Sequence, residues 1–164
     1  MQGRHSVPPG RVGATGPGPQ ASLPRSRDVI IDTCSEEETI DAGSALAARL
    51  SAGDVVLLYG DLGAGKTAFV RGLAQGLGAS DHDVSSPTFT LIQEYRGGRV
   101  TLFHADLYRL TPTETGDIGL DEIGEDGVLA IEWADRLEAP PEQAVRVRFE
   151  ILDESGRRIA ISGA

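Results

Sequence analysis

The chain has 164 residues, 40% of them hydrophobic and 24% charged, and a formal net charge of −10. That length suits one domain with a real core, and the acidity argues against non-specific binding of nucleic acid or an anionic membrane by this chain alone. A single cysteine, Cys34, excludes an internal disulfide and fits a reducing, cytoplasmic setting, and no apolar run approaches the ~20 residues that span a bilayer.

Residues 1–27 hold five of the nine prolines, five glycines and four arginines but no acid, which leaves −14 on the remainder. With almost nothing to bury, this stretch reads as a disordered extension ahead of one domain over residues 28–164. Arginine without acid resembles an organelle transit peptide, but the amphipathic helical pattern is missing. A dispensable tail or an early start codon is the simpler expectation. Val29 to Ile31 reads as a short strand. Ser35 followed by Glu38 is a capping box, and Ile40, Gly43, Ala47 and Leu50 mark one face of a helix expected to end near Gly53. The apolar run Val55 to Tyr59 reads as a buried strand.

Gly60 to Thr67 follows at once and reads GDLGAGKT, a match to G-x-x-x-x-G-K-[ST] at every fixed position. After it, Phe69, Leu73 and Leu77, with Val70 beside them, mark an amphipathic helix that stops at Gly78. Strand, glycine loop and helix is the arrangement that cradles a triphosphate. Gly60, Gly63 and Gly65 let the backbone turn tightly, and the segment Leu62, Gly63, Ala64, Gly65, Lys66 and Thr67 would wrap the phosphates. The helix N-terminus attracts anions, Lys66 is placed to reach the β/γ-phosphates, and the Thr67 hydroxyl can ligate magnesium. Lys66 is also the only lysine, against fourteen arginines. A compact ammonium on a flexible stem is what this position needs, and guanidinium replaces it poorly.

In Ser85 to Leu110, the pair Gly97-Gly98 separates two strand-like runs, Thr88 to Tyr95 and Val100 to Ala105, which is a hairpin signal. The sheet is therefore not purely parallel. Pro112 opens a helical turn, and the acidic, glycine-rich stretch to Gly127 has no clear pattern. Val128 to Ile131 is a second buried apolar run, ending in Glu132 and Trp133. Val145 to Ile151 and Arg158 to Ile161 form a final hairpin around Ser155-Gly156.

A phosphate loop needs a carboxylate on a neighbouring strand to hold magnesium, directly or through water. Glu132 ends what reads as a central strand and is the first candidate; Asp106, at the end of the strand from Val100, is the second. A helix cap or solvated turn is the ordinary role of such acids. His104 lies on the same strand face as Asp106 but has no partner at zinc-site spacing. Ser86 and Thr88 could sense a γ-phosphate or cap a turn, and neither has a base near it in sequence. Arg109 and Arg157 are phosphate-contact candidates against a background of surface arginines. The chain contains no asparagine, which removes the GTPase N-K-x-D motif and the protein-kinase catalytic loop. The DEIG at Asp121 imitates a GTPase D-x-x-G without the preceding apolar strand. A small-molecule kinase and a non-catalytic nucleotide-binding module stay open.

Four motifs together carry a family resemblance: GDLGAGKT at 60–67, SPTFTL at 86–91, HADLYRL at 104–110 and IEW at 131–133. Over about residues 33–162 the chain resembles the TsaE (formerly YjeE) family of ATPases required for threonylcarbamoyladenosine in tRNA. The extension at the front and the tail after Trp133 depart from the family pattern. The resemblance implies an α/β ATP-binding fold of the P-loop type. The expected fold is a mixed sheet flanked by helices, with the antiparallel hairpins read above after the loop helix and at the C-terminus. It implies slow hydrolysis of ATP with Mg2+. Lys66, Thr67 and Glu132 are the family positions, the latter two as magnesium contacts, and Asp106 is expected to matter for activity. Further nucleotide contacts fall at Glu36, Gly156 and Arg157. The implied partners are TsaD and TsaB, with tRNA reached only through their complex.

Overall fold

Val55–Tyr59 (β2) and Gly127–Glu132 (β5) carry the apolar runs Val56–Leu58 and Val128–Ile131 because both faces of each run are covered, as parallel central strands require. They pair in parallel with Leu58 opposite Glu132. The computed structural model describes residues 28–79 and 91–163, so the first 27 residues and the Ser86 and Thr88 candidates lie outside the described residues. The other strands are Val29–Thr33 (β1), Ile92–Tyr95 (β3), Thr101–Asp106 (β4), Val145–Ile151 (β6) and Arg157–Ser162 (β7). One seven-stranded mixed sheet results, in the order β1-β7-β6-β2-β5-β4-β3. Its middle, β6-β2-β5-β4, is parallel; the β3–β4 and β6–β7 pairs are the two expected antiparallel hairpins, and β1 joins β7 antiparallel.

Alternation along β2 divides the core. Val56 and Leu58 face the helices Glu36–Ala47 (α1) and Lys66–Leu77 (α2), together with Phe69, Leu73 and Leu77. Leu57 faces the other side, where Leu120 and Ala134 cover the sheet with Leu129 and Ile131. The patternless stretch after Pro112 supplies that second cover. It forms two short helices, Pro112–Gly116 (α3) and Leu120–Ile123 (α4), the first with a complete Thr111–Glu114 capping box. The DEIG segment is α4 and its end, on the sheet face opposite α1 and α2.

Three local expectations need correction. The helix α1 ends at Ala47, not near Gly53, because Leu50 continues the apolar pattern into a turn where the Asp54 carboxylate accepts from the Ser51 N–H at 2.7 Å. Its buried face is Thr39, Ala42, Gly43, Leu46 and Ala47, with Ile40 only partly covered. Ser35 does cap the helix, accepting from the Glu38 N–H at 3.1 Å, but the Glu38 carboxylate accepts from Cys34 rather than from Ser35. At the far end, Gly78 closes α2 in the left-handed conformation with φ 81°, as expected.

The two helices touch backbone to backbone. A Cβ on Gly72 would sit 2.0 Å from the Ile40 carbonyl oxygen, and one on Gly43 would sit 2.2 Å from that of Phe69. Only glycine permits that approach. It brings the N-terminus of α1 beside the N-terminus of α2, so Thr39 lies against Gly65. The β3–β4 turn then closes on both helix C-termini: Arg99 donates to the Ala47 carbonyl at 2.6 Å and its N–H to Leu77 at 2.9 Å.

Candidate nucleotide site

The glycine loop leaves the C-terminal end of β2 and enters α2, so the site lies where a parallel sheet usually binds ligands. Gly60, Gly63 and Gly65 have φ of 156°, 78° and 100°, values that a side chain resists. Gly65 is the N-cap of α2 and supplies no side-chain acceptor to the first turn. Such a helix end has a partial positive charge and directs its N–H groups outward.

A cleft of about 480 Å³ opens over this loop, in the size range of small-molecule sites. Leu62, Gly63, Ala64, Gly65, Lys66 and Thr67 form its floor, and Glu132 and Trp133 one wall. Ser35, the N-cap of α1, with Glu36 and Thr39 of that helix also line it, as do Glu154 and Ser155 of the β6–β7 turn and Arg157 at the start of β7. The loop residues and Glu132, Glu36 and Arg157 are thus brought together. Gly156 is not among the lining residues. A Cβ there would come within 2.9 Å of the Asp153 carboxylate, which accepts from the Gly156 N–H at 2.6 Å and holds the turn. Arg157 donates to the Gly63 carbonyl at 3.1 Å and ties this turn to the loop. Glu36 pairs with Arg71 of α2 at 3.2 Å. Asp106 and Arg109 do not line the cleft.

Lys66 is buried, and its Nζ donates to the carbonyls of Gly60 and, at 3.0 Å, Asp61. The same Nζ stands 3.9 Å from the centroid of the Trp133 ring, a cation–π contact. Burial lowers the Lys66 pKa, while the carboxylates of Glu132, Asp106, Asp135 and Asp61 pull it back up. Trp133 is the only described non-glycine residue with positive φ, at 58°. Such a conformation is costly for a bulky side chain and tends to mark functional sites. Its ring packs on Tyr108, centroids 4.9 Å apart.

The Thr67 hydroxyl donates to Glu132 Oε1 at 2.9 Å. Asp106 stands next to Glu132 in the β4–β5 register and accepts from the Tyr108 N–H at 2.9 Å, the turn-capping role open to any acid at a strand end. Burial pushes the Asp106 carboxyl up; the Tyr108 N–H lowers it, and the neighbouring Glu132 raises it further. Among the described residues, no three His, Cys, Asp or Glu side chains are grouped to hold a metal alone. One hydroxyl and one carboxylate, both lining the cleft, do fit magnesium, a hard cation that keeps waters and takes phosphate oxygens as its other ligands.

Ser35, Thr39, Glu154 and Ser155 were not expected at the site. Their placement depends on the α1–α2 contact and on strand order; glycines inside helices, Gly43 in α1 and Gly72 and Gly76 in α2, are the local signal of that contact.

A family model described as "Threonylcarbamoyl adenosine biosynthesis protein TsaE" matches residues 33–159. A "tRNA threonylcarbamoyladenosine biosynthesis protein TsaE" from Nostoc sp. is 43% identical over 132 residues, covering 77% of this chain and 81% of the relative. The protein of the same name from Bacillus subtilis is 46% identical over 121 residues, 73% of each chain. The crystal structure of YdiB from Bacillus subtilis superposes with a TM-score of 0.66 at 34% identity, covering 83% of this chain and 85% of YdiB.

Proposed function

The chain belongs to the TsaE family of threonylcarbamoyladenosine biosynthesis, and from that premise we propose that it is a subunit that binds and hydrolyses ATP with magnesium. The observation that carries this reading is the Thr67–Glu132 hydrogen bond of 2.9 Å. It joins the hydroxyl that opens the loop helix to the carboxylate that ends the neighbouring parallel strand.

In this reading the N–H groups of the glycine loop bind the phosphates. Lys66 leaves the Gly60 and Asp61 carbonyls and the Trp133 ring to meet the β/γ-phosphate oxygens. Thr67 and Glu132 would hold the magnesium ion, which supplies neutralisation of phosphate charge when bound. Ser35, Glu36 and Thr39 on one side and the Arg157 turn on the other flank the space for the nucleoside. Asp106, set back from the cleft, orients the attacking water or transmits nucleotide state through Tyr108 and Trp133. The modification of tRNA is then performed with partners, which we take to be TsaD and TsaB, and ATP turnover resets their complex. The acidic body of the chain supports an indirect relation to tRNA. Incubation with ATP and magnesium tests the reading: phosphate release that rises with partner proteins supports it. Transfer to a small acceptor in place of release would favour a kinase.

A further inference from the structure

His104 has a side chain that the proposed chemistry leaves unused. It lies on β4, fully buried, with Leu102 and Ala105 on the same strand and Ala130 opposite in register. Neither ring nitrogen has a hydrogen-bond partner among the described residues. The nearby Tyr95 hydroxyl is already committed to Gln93 Oε1 at 2.6 Å. The polar group that Nε2 faces is Glu132 Oε2, 3.6 Å away. That is beyond a hydrogen bond, but a small side-chain rotation closes it.

A buried imidazole with no partner is costly, and a leucine or phenylalanine would fill such a volume more stably. A hydrogen bond from one of the two ring nitrogens would reduce that cost. A carboxylate oxygen accepts more than one hydrogen bond: Glu132 Oε1 accepts from Thr67, and Oε2 is the oxygen that lies 3.6 Å from His104 Nε2. Carboxylates that hold cations are commonly fixed by an outer donor of this kind.

Resting on the reading of Glu132 as the cation-binding carboxylate, we propose that His104 is a positioning residue for it. The neutral imidazole directs Nε2–H at Oε2 and fixes the carboxylate plane, so that Oε1 faces Thr67 and the loop. The distance, the burial of both groups and the lack of any other described partner for the ring all point to this pairing.

The test uses the full chain and two variants, His104→Phe, which fills the space without a donor, and His104→Gln, whose amide places a donor near Nε2. Binding of a fluorescent ATP analogue is measured across a magnesium titration and again in EDTA. His104→Phe is expected to need about 10-fold or more additional magnesium with unchanged binding in EDTA, and His104→Gln to recover most of the loss. Nitrogen-15 NMR of the nucleotide-free protein gives an independent readout. The histidine resonance lost in His104→Phe should be the Nε2–H tautomer. A magnesium dependence unaltered in His104→Phe, or an Nδ1–H tautomer, overturns this inference alone. If His104→Phe does not fold, His104→Gln and the tautomer decide: a large magnesium shift in His104→Gln overturns the inference. A wild-type protein without magnesium dependence overturns the functional reading and this inference with it.

Discussion

Lys66 Nζ rests 3.9 Å from the centroid of the Trp133 ring while donating to the Gly60 and Asp61 carbonyls. The only lysine and the only tryptophan of the chain are therefore in contact, and a phosphate that recruits Lys66 must change the surroundings of the indole. Mg-ATP is expected to alter the intrinsic fluorescence of Trp133, and Thr67→Ala to reduce that change. A spectrum identical with and without nucleotide contradicts the proposed movement of Lys66.

Lysine uniqueness also makes chemical labelling decisive. An amine-reactive ATP analogue should modify Lys66, and ATP with magnesium should protect it. Because burial lowers the Lys66 pKa, its neutral amine is available at lower pH than that of an ordinary lysine, so the labelling rate should level off at lower pH too. Lys66→Ala should weaken nucleotide binding by about 1.5–3 kcal/mol, the worth of a charge-assisted contact, and leave the fold intact. Labelling confined to the N-terminal amine and indifferent to ATP counts against the site.

The helix contact that builds the α1 wall is sensitive to one methyl group. Gly72→Ala puts a Cβ 2.0 Å from the Ile40 carbonyl oxygen, and overpacking of this kind costs roughly 1–3 kcal/mol. Each kcal/mol corresponds to roughly 2–4 °C in Tm for a chain of this size. Nucleotide affinity should fall as well, since Ser35, Glu36 and Thr39 shift with α1. Gly116→Ala, where the nearest atom is 4.0 Å away, serves as the control and should leave Tm nearly unchanged. Equal Tm values for the two variants would show that the helices separate without cost.

The central strands and the loop were legible because local pattern determines them. The runs within Val55–Tyr59 and Val128 to Ile131 are apolar because parallel strands are covered on both faces, and the glycines of 60–65 sit where φ is positive. The end of α1 was not, since Leu50 keeps the helical period while Asp54 caps the turn at Ser51. The outer walls of the cleft were beyond local reading. Ser35 and Ser155 meet there because β1 and β7 pair at the sheet edge with Thr33 opposite Arg157. Short-range spacing has no access to that pairing.

In the proposed function Glu132 and Thr67 hold the cation while Asp106 serves hydrolysis. Asp106→Asn should fold well, because burial already favours the neutral acid and an amide oxygen can still accept from the Tyr108 N–H. Loss of a cation ligand harms ground-state binding and turnover together, whereas loss of a group that acts on water or on a switch harms turnover alone. The most direct measurement is ATP affinity across a magnesium titration for the wild type, Glu132→Gln and Asp106→Asn, with phosphate release followed in parallel. Glu132→Gln is expected to weaken binding and raise the magnesium requirement, and Asp106→Asn to bind nearly normally and fail in hydrolysis. A raised magnesium requirement in Asp106→Asn with none in Glu132→Gln would reverse the two carboxylates, and no change in either variant would contradict the catalytic reading.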